Sequence, residues 1–314
     1  MTRIAMMGSG AVGGYFGGRM AAAGCDVTFI ARGRHLEAIR ERGLRVESAV
    51  LGDIRVHPAR AIEDPGAVGV MDCVIVCVKL WDTAAAAAAM RPMVGPATTI
   101  LSLQNGVEND ALERAFGSSR LLGAVAFIGC AIEAPGVIRH VGAMQRVVAG
   151  ELGGGSSARV EGLLESLRRG GIDASSSDDI QRTIWEKFVF LVGLSAATTL
   201  KRAPLGQVRE DPQARGVLLG AMRETAAVAR ARGIALPAGF ARGRFEFAAG
   251  LSPEMTSSMQ TDLERGNRLE LQWLSGAVVR FGREAGIPTP LNGTVYEALL
   301  PYASGGSGRA GLPP

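Results

Sequence analysis

Only three lysines occur in the 314 residues, Lys79, Lys187 and Lys201, against 31 arginines. A chain that meets almost every need for positive charge with arginine keeps lysine where an ammonium does something a guanidinium does not, and giving up a proton is one such task. Lys187 stands in Trp185-Glu186-Lys187, inside a stretch with helical periodicity. Further on, Thr256-Ser257-Ser258-Met259-Gln260-Thr261-Asp262 precedes Glu270. Ser258, Asp262, Gly266 and Glu270 step by four, which on one continuous helix keeps hydroxyl and carboxylates on one broad face. Chance placement is the rival reading of the lysines, since three residues of any type can fall anywhere. The rival reading of Glu270 is an ordinary solvated helix position.

A second chemistry-bearing group lies at the N-terminus. Ile4–Met7 reads as a buried strand, and Gly8-Ser9-Gly10-Ala11-Val12-Gly13 then supplies G-x-G-x-x-G at the turn into a helix rich in alanine and glycine. Gly8 permits the turn, Gly10 lets backbone approach a pyrophosphate, and Gly13 lets helix and strand pack closely. The helix N-terminus turns amide donors toward that phosphate. A second strand, Asp26–Ile30, ends at Ala31-Arg32-Gly33-Arg34. An acid gripping an unphosphorylated ribose belongs there; an arginine suits a 2′-phosphate instead, so the expected cofactor is NADP(H), held by residues 8–13 and Arg32.

The elements that position these groups follow from the apolar runs. Asp72–Val78 ends at Lys79 and leads into the helix-forming alanines 84–89, Thr98–Leu103 ends at Gln104-Asn105-Gly106, and Leu121–Ile128 opens another strand. In a doubly wound sheet, ligands bind beyond the carboxyl ends of the strands, so Lys79 and Asn105 are expected to face the crevice of the glycine loop. A plain strand end is the alternative for Lys79. Gly136–Gly150 reads as strand or hairpin, Ala158–Arg169 as a helix and Ile172–Ser175 as a short strand. From Ser177 onward the pattern is helical, with helices expected over 212–232, 237–247 and 257–286. The fold class is therefore α/β: a Rossmann-type doubly wound domain over residues 1–178, an all-α domain over 179–302, and a Gly/Ser/Pro-rich flexible tail over 303–314.

Composition narrows the class. A hydrophobic content of 47% and a net charge of +4 suit a packed enzyme rather than a disordered chain. Seven arginines lie between Arg32 and Arg60 against four acids, beside the expected 2′-phosphate site. No basic-aromatic module accompanies them, so no nucleic-acid partner is expected. Cys73 and Cys77, four strand residues and roughly 13 Å apart, cannot bridge, and Cys25 and Cys130 read as small buried hydrophobes. His35, His57 and His140 lack metal-ligand spacing, so no metal is expected. The apolar run 188–200 is too short to cross a bilayer and reads as a buried helix segment. No membrane partner is expected; the expected compartment is the cytoplasm, and a homodimer is compatible with the sequence.

Taken together these motifs make the chain similar to the ketopantoate reductase family over nearly its whole length: the N-terminal G-x-G-A-x-G, Arg-Gly after strand two, Val-Lys before the alanine helix, Gln-Asn-Gly, Trp-x-Lys, and Ser-Ser-Met-x-x-Asp with a glutamate twelve residues past the second serine. The resemblance implies NADPH-dependent reduction of a 2-oxo acid in pantothenate biosynthesis. It makes Lys187 the general acid, Glu270 the carboxylate that orients substrate and lysine, and Ser258 a hydroxyl for the substrate carboxylate. Asn105 and Lys79 become liners of the cofactor–substrate crevice. The family's asparagines four and eight residues after the lysine are here Leu191 and Ser195, and two more fall at Leu205 and Met255. These replacements imply a less polar substrate end and admit a D-2-hydroxyacid dehydrogenase for apolar 2-oxo acids. A non-catalytic NADP(H) sensor is the reading from another class, which the presence of Lys187, Ser258 and Glu270 opposes.

Overall fold

The computed structural model describes residues 2–306. Two compact units divide the chain, Met1–Thr183 and Ile184–Pro314. The first contains, in order, β1 (Arg3–Met7), α1 (Ala11–Ala22), β2 (Asp26–Ile30), α2 (Gly33–Arg42), β3 (Leu44–Ser48), β4 (Ile54–Val56), β5 (Ala61–Ile62), β6 (Met71–Val76), α3 (Thr83–Ala89), β7 (Val94–Ser102), α4 (Asp110–Phe116), β8 (Leu121–Ala134), β9 (Val137–Glu151), α5 (Ala158–Arg169) and β10 (Asp173–Ser176). The ten strands form one sheet in the order β4-β3-β9-β8-β7-β6-β1-β2-β5, with β10 beside β9.

Strands β7, β6, β1, β2 and β5 run parallel. From β1 the chain moves through α1 to β2 on one side, then returns to β6 on the other. The order reverses at β1/β6, where a doubly wound sheet opens its ligand crevice. Alternate side chains of β1 serve opposite faces, as the pleat requires. Ile4 and Met6 join a core with Tyr15, Phe16, Met20 and Phe29, whereas Ala5 and Met7 join another with Val74, Val76, Met90 and Ile100. Beyond the parallel strands the sheet changes character. β8 and β9 form a long antiparallel ribbon, and β3 pairs with β9 through Arg45↔Val137 to Ser48↔His140.

Helix α6 (Ile180–Lys201) contains the division between the units, and Trp185, Phe188, Val189 and Val192 along it are buried. Among the described residues it is the one helix long and apolar enough to cross a membrane, but 67% of its apolar window is buried inside the protein. The apolar run 188–200, expected as a buried helix segment, lies within it. After it come α7 (Leu205–Glu210), α8 (Pro212–Ala231), α9 (Phe240–Ala249), α10 (Ser258–Glu264), α11 (Ser275–Ala285) and α12 (Pro290–Leu299).

The helix expected over 257–286 is broken, which corrects the sequence reading. Helix α10 stops at Glu264, Gly266 takes φ +66°, and the Asn267 amide donates back to the Asp262 carbonyl at 2.8 Å. This is a glycine stop in the left-handed conformation, with the carbonyls of the last turn satisfied from beyond it. Ser258 and Glu270 therefore do not share a helix face. Residues 303 to 306, expected in a flexible tail, close a turn instead: Leu269 N–H donates to Ala303 O at 2.9 Å, and Gly306 N–H to Gly266 O at 2.9 Å. The rest of that expected tail lies outside the described residues. Cys25 and Cys130, expected to be buried, are half-buried, and all four cysteines are free thiols.

Two glycines give opposite expectations for stability. A Cβ on Gly17 of α1 would stand 2.7 Å from Met6 Cγ and 2.7 Å from Phe29 Cε1 in the closed core, whereas one on Gly162 of α5 would meet nothing within 4 Å. Gly17→Ala is expected to destabilise the protein by about 1–3 kcal/mol through overpacking. Gly162→Ala is expected to stabilise it by up to about 1 kcal/mol, because alanine prefers helix. Denaturant unfolding of the two variants checks both signs.

Candidate active site

In the first unit the turn between β1 and α1 is built by close approach. Gly8 holds φ +96°, and a Cβ there would stand 2.8 Å from the Val78 nitrogen. A Cβ on Gly13 would lie 2.0 Å from Gly8 O and 3.1 Å from Cys77 Cβ. No side chain fits at either position, so strand, turn and helix are pressed together. Gly10 differs: a Cβ would meet only Ile132 Cδ1, at 4.0 Å. Its backbone borders open space at the N-terminus of a twelve-residue helix, which is what a pyrophosphate requires. Ser9 contributes backbone only, since its hydroxyl is turned inward and donates to Ile30 O at 3.1 Å. Ala11 and Val12 are the first residues of α1.

Arg32 stands at the end of β2 with its side chain 83% exposed, and Nη2 reaches Asp82 Oδ2 at 3.1 Å. An exposed pair of this kind contributes only about 0–1 kcal/mol. A phosphate can therefore take the guanidinium from Asp82 at little cost. Lys79 is exposed just beyond β6, with Nζ 5.6 Å from the centre of the Trp81 ring. Asn105 is half-buried beyond β7. Gln104, which the sequence reading passed over, fixes the loops that carry them. Its Nε2 donates to Val78 O at 2.9 Å and to Thr83 Oγ1 at 2.8 Å, and Ser102 Oγ donates to its Oε1 at 3.1 Å. The signal for Gln104 was its place in Gln-Asn-Gly, but only the fold shows which loop it holds.

In the second unit the structure brings Lys187 of α6 and Glu270 within electrostatic reach, with Glu270 carried beyond the end of α10 rather than on one helix face with Ser258. Glu270 is 7% exposed and sits at the start of a 3-10 turn, Leu271–Trp273, after the glycine break. Burial pulls the Lys187 ammonium down from the ordinary lysine range to about 8, and the Glu270 carboxylate pulls the other way. Desolvation disfavours the charged amine and a neighbouring anion favours it; here desolvation dominates.

The paired serines divide their labour. Ser257 is 3% exposed; its hydroxyl caps α10 through the Gln260 amide at 3.1 Å and meets Thr198 Oγ1 of α6 at 2.8 Å. Ser258 is left exposed at the first turn of α10. Thr198 lies three turns beyond Lys187, roughly 16 Å along α6. The fold thus anchors Ser258 well along the helix from the lysine.

The replaced family positions are not equivalent. Leu191 and Met255 are half-buried, whereas Ser195 is sealed in the interior with no partner for its hydroxyl, and Leu205 is fully buried. The Leu205 amide donates to Met255 O at 2.8 Å, so those two positions are neighbours. Gln260 is buried with Oε1 unpartnered, and exposed Asn267 donates to Asp262 Oδ1 at 3.1 Å. Among the described residues no group of histidines, cysteines and carboxylates could hold a metal.

With only three lysines, the titration of Lys187 can be read directly by carbon-13 methylation and NMR. Its midpoint is expected near 8. Glu270→Gln removes the opposing carboxylate and should move that midpoint lower; a midpoint at the ordinary lysine value would contradict the buried environment.

Comparison with known proteins agrees with this construction. The family profile described as ketopantoate reductase PanE/ApbA matches residues 4–154, and that of its C-terminal domain, ketopantoate reductase PanE/ApbA C terminal, matches residues 179–303. The 2-dehydropantoate 2-reductase of Halobacterium salinarum is 34% identical over 300 residues, covering 95% of this chain and 97% of that protein. The corresponding protein of Mesorhizobium japonicum is 31% identical over 310 residues, covering 92% and 94%. The crystal structure of a PanE/ApbA family ketopantoate reductase from Ralstonia eutropha superposes with a TM-score of 0.87 at 34% identity, covering 96% of this chain and 98% of that one. With a glycine-loop unit, a lysine–glutamate unit and full-length relatives, the chain belongs to the ketopantoate reductase family of oxidoreductases.

Proposed function

We propose that this protein reduces a 2-oxo acid to the 2-hydroxy acid with NADPH, with 2-dehydropantoate as the leading substrate, in cytoplasmic pantothenate biosynthesis. The observation that carries the reading is the Lys187–Glu270 pair: an ammonium brought by burial to about 8, with a buried carboxylate beside it. A general acid works best with a pKa near the working pH, where it is mostly protonated yet releases its proton readily.

The residues at the glycine loop fit a dinucleotide phosphate, because Gly10 alone of the three fingerprint glycines faces open space. Arg32 would hold a 2′-phosphate, and Lys79 and Asn105 would line the crevice beyond the strand ends. A nicotinamide held there would supply hydride to the carbonyl carbon. The chain's own residues do the rest. The Lys187 ammonium polarises the carbonyl oxygen and gives it a proton as negative charge develops. Glu270 keeps the ammonium charged against the pull of burial, and Ser258 is the hydroxyl offered to the substrate carboxylate. Leu191 and Met255 are the replaced positions able to touch a substrate's distal end, and their side chains offer a hydroxyl nothing stronger than a weak thioether acceptor.

Lys187→Ala should lower turnover by about 10²–10⁴-fold, the range of a positioned acid, with NADPH binding nearly intact. Lys187→Arg should also be poor, since arginine holds its proton. In the reductive direction kcat/KM should fall as pH rises through about 8, where Lys187 loses its proton. Glu270→Gln should shift that limb to lower pH. An active Lys187→Ala enzyme would remove the residue from the mechanism.

Two comparisons test cofactor and substrate. Arg32→Glu should weaken NADPH much more than NADH, and a wild-type protein that binds both alike would overturn the 2′-phosphate reading. Burying a hydroxyl without a partner costs on the order of 1–3 kcal/mol. An apolar acid such as 2-oxoisovalerate should therefore compete with 2-dehydropantoate to within about 150-fold in kcat/KM. A preference above about a thousandfold for 2-dehydropantoate would show that other groups replace the family's asparagines, and the buried Gln260 is the first to test.

A further inference from the structure

His35 is the third residue of α2 and stands between two backbone segments that are distant in sequence. Its Nε2 lies 2.9 Å from Ser9 O, in the middle of the glycine loop. The Gly136 amide, in the turn joining β8 to β9, donates to its Nδ1 at 3.1 Å. An amide can only donate, so Nδ1 is the bare nitrogen, and Nε2 carries the hydrogen given to Ser9 O. Both ring nitrogens are thereby committed, and one tautomer is selected. Burial lowers the imidazole below the ordinary histidine range, against the opposing pull of the Ser9 carbonyl, which keeps this neutral form at neutral pH.

The bond acts on the peptide group that follows Ser9. That bond is trans, since the one cis peptide among the described residues is His57–Pro58. In a planar trans peptide the C=O and N–H point in opposite directions. A carbonyl of Ser9 held by His35 therefore turns the Gly10 N–H away from the imidazole. The rest of Ser9 is fixed too, because its N–H and hydroxyl both donate to Ile30 O, at 3.0 and 3.1 Å. Gly10 itself has no side chain to hold its backbone, and a Cβ there would meet only Ile132 Cδ1. The far end of the tie is firm: Gly136 O accepts from the Arg45 amide at 2.9 Å, which joins the turn to β3.

We propose that His35 is a positioning residue for the pyrophosphate subsite, holding the Ser9–Gly10 peptide so that the Gly10 amide is presented to the phosphate before the dinucleotide arrives. The inference rests on the dinucleotide reading of the glycine loop. It concerns the part common to NADPH and NADH, whereas Arg32 concerns the part that differs. A donor fixed in advance costs the ligand no ordering on binding. Without His35 the Ser9 carbonyl loses this tether, and the cofactor must supply the ordering of the Ser9–Gly10 peptide.

The test is dinucleotide binding by His35→Phe and His35→Gln, measured by fluorescence titration, together with steady-state kinetics. Phenylalanine keeps the ring and loses both bonds. Glutamine keeps a donor and an acceptor flanking one carbon, as in the imidazole, and can remake both. His35→Phe should weaken NADPH and NADH by a similar factor, about 5- to 50-fold, equivalent to roughly 1–2.3 kcal/mol at 1.4 kcal/mol per tenfold. Its cofactor KM should rise in step while kcat at saturation stays within about twofold of wild type. Adenosine 2′-monophosphate, which has no pyrophosphate, should bind as before, and His35→Gln should recover most of the loss. Unchanged dinucleotide binding by His35→Phe overturns the inference. So does a His35→Gln variant as weak as His35→Phe, or an equal loss for adenosine 2′-monophosphate, since either would mark general damage to the loop. A wild-type protein that binds neither dinucleotide overturns the glycine-loop reading and the inference with it, which separates the two failures.

Discussion

The closeness of α1 to β1 is the constraint on which the first unit is built. At Gly13 the helix comes so near the turn that a single methyl group would overlap the Gly8 carbonyl. Contact at that range sets where the helix points and how its first amides are placed. It also sets how α1 covers the sheet: Tyr15, Phe16 and Met20 close over Ile4, Met6 and Phe29 only because glycines beneath them let the backbones meet. The phosphate cradle and the core are thus one packing arrangement. A residue that spoils the cradle by adding volume also lifts the helix from its core.

The second unit solves a different problem, that of keeping a charge where water is scarce. Removing the shell of an ammonium is costly, and such a group tends to lose its proton instead. Here burial moves Lys187 part of the way, and Glu270 stops it short of neutrality. Removing the Glu270 carboxylate would leave desolvation unopposed by it and lower the lysine further. The balance between desolvation and attraction leaves a common side chain titrating near 8.

Much of this was readable in the residues themselves. The strand Asp26–Ile30 and the helix Ala158–Arg169 fall where the apolar pattern places them, because the strand is one continuous buried run and the helix repeats its core face without interruption. Lys187 was visible through scarcity and the glycine loop through its position. The strands β3 and β4 were missed because Leu44-Arg45-Val46-Glu47-Ser48 buries only every second residue, and its charged face reads as loop. The break after α10 was missed because Gly266 is one glycine among 43, and nothing local distinguishes a helix stop from a tolerated glycine. Gln104 and His35 could not be read as positioning groups at all. They act on backbone atoms brought near by the sheet, and a side chain that grips a carbonyl leaves no pattern in the sequence.

One consequence of the glycine break concerns how this enzyme can be handled and altered. The segment carrying Glu270 lies outside α10 and is tied to the turn at 303 to 306, through Leu269 to Ala303 and Gly306 to Gly266. Gly305 fits so tightly against Asn267 and Arg268 that a Cβ there would come within 2.7 Å of the Gly266 carbonyl. Four residues of plain composition, more than thirty positions away along the chain, are therefore the brace for the buried carboxylate. Trimming the protein before Ala303, or fusing a bulky partner into this turn, would take those backbone ties from the segment that carries Glu270, although no reactive side chain had been touched.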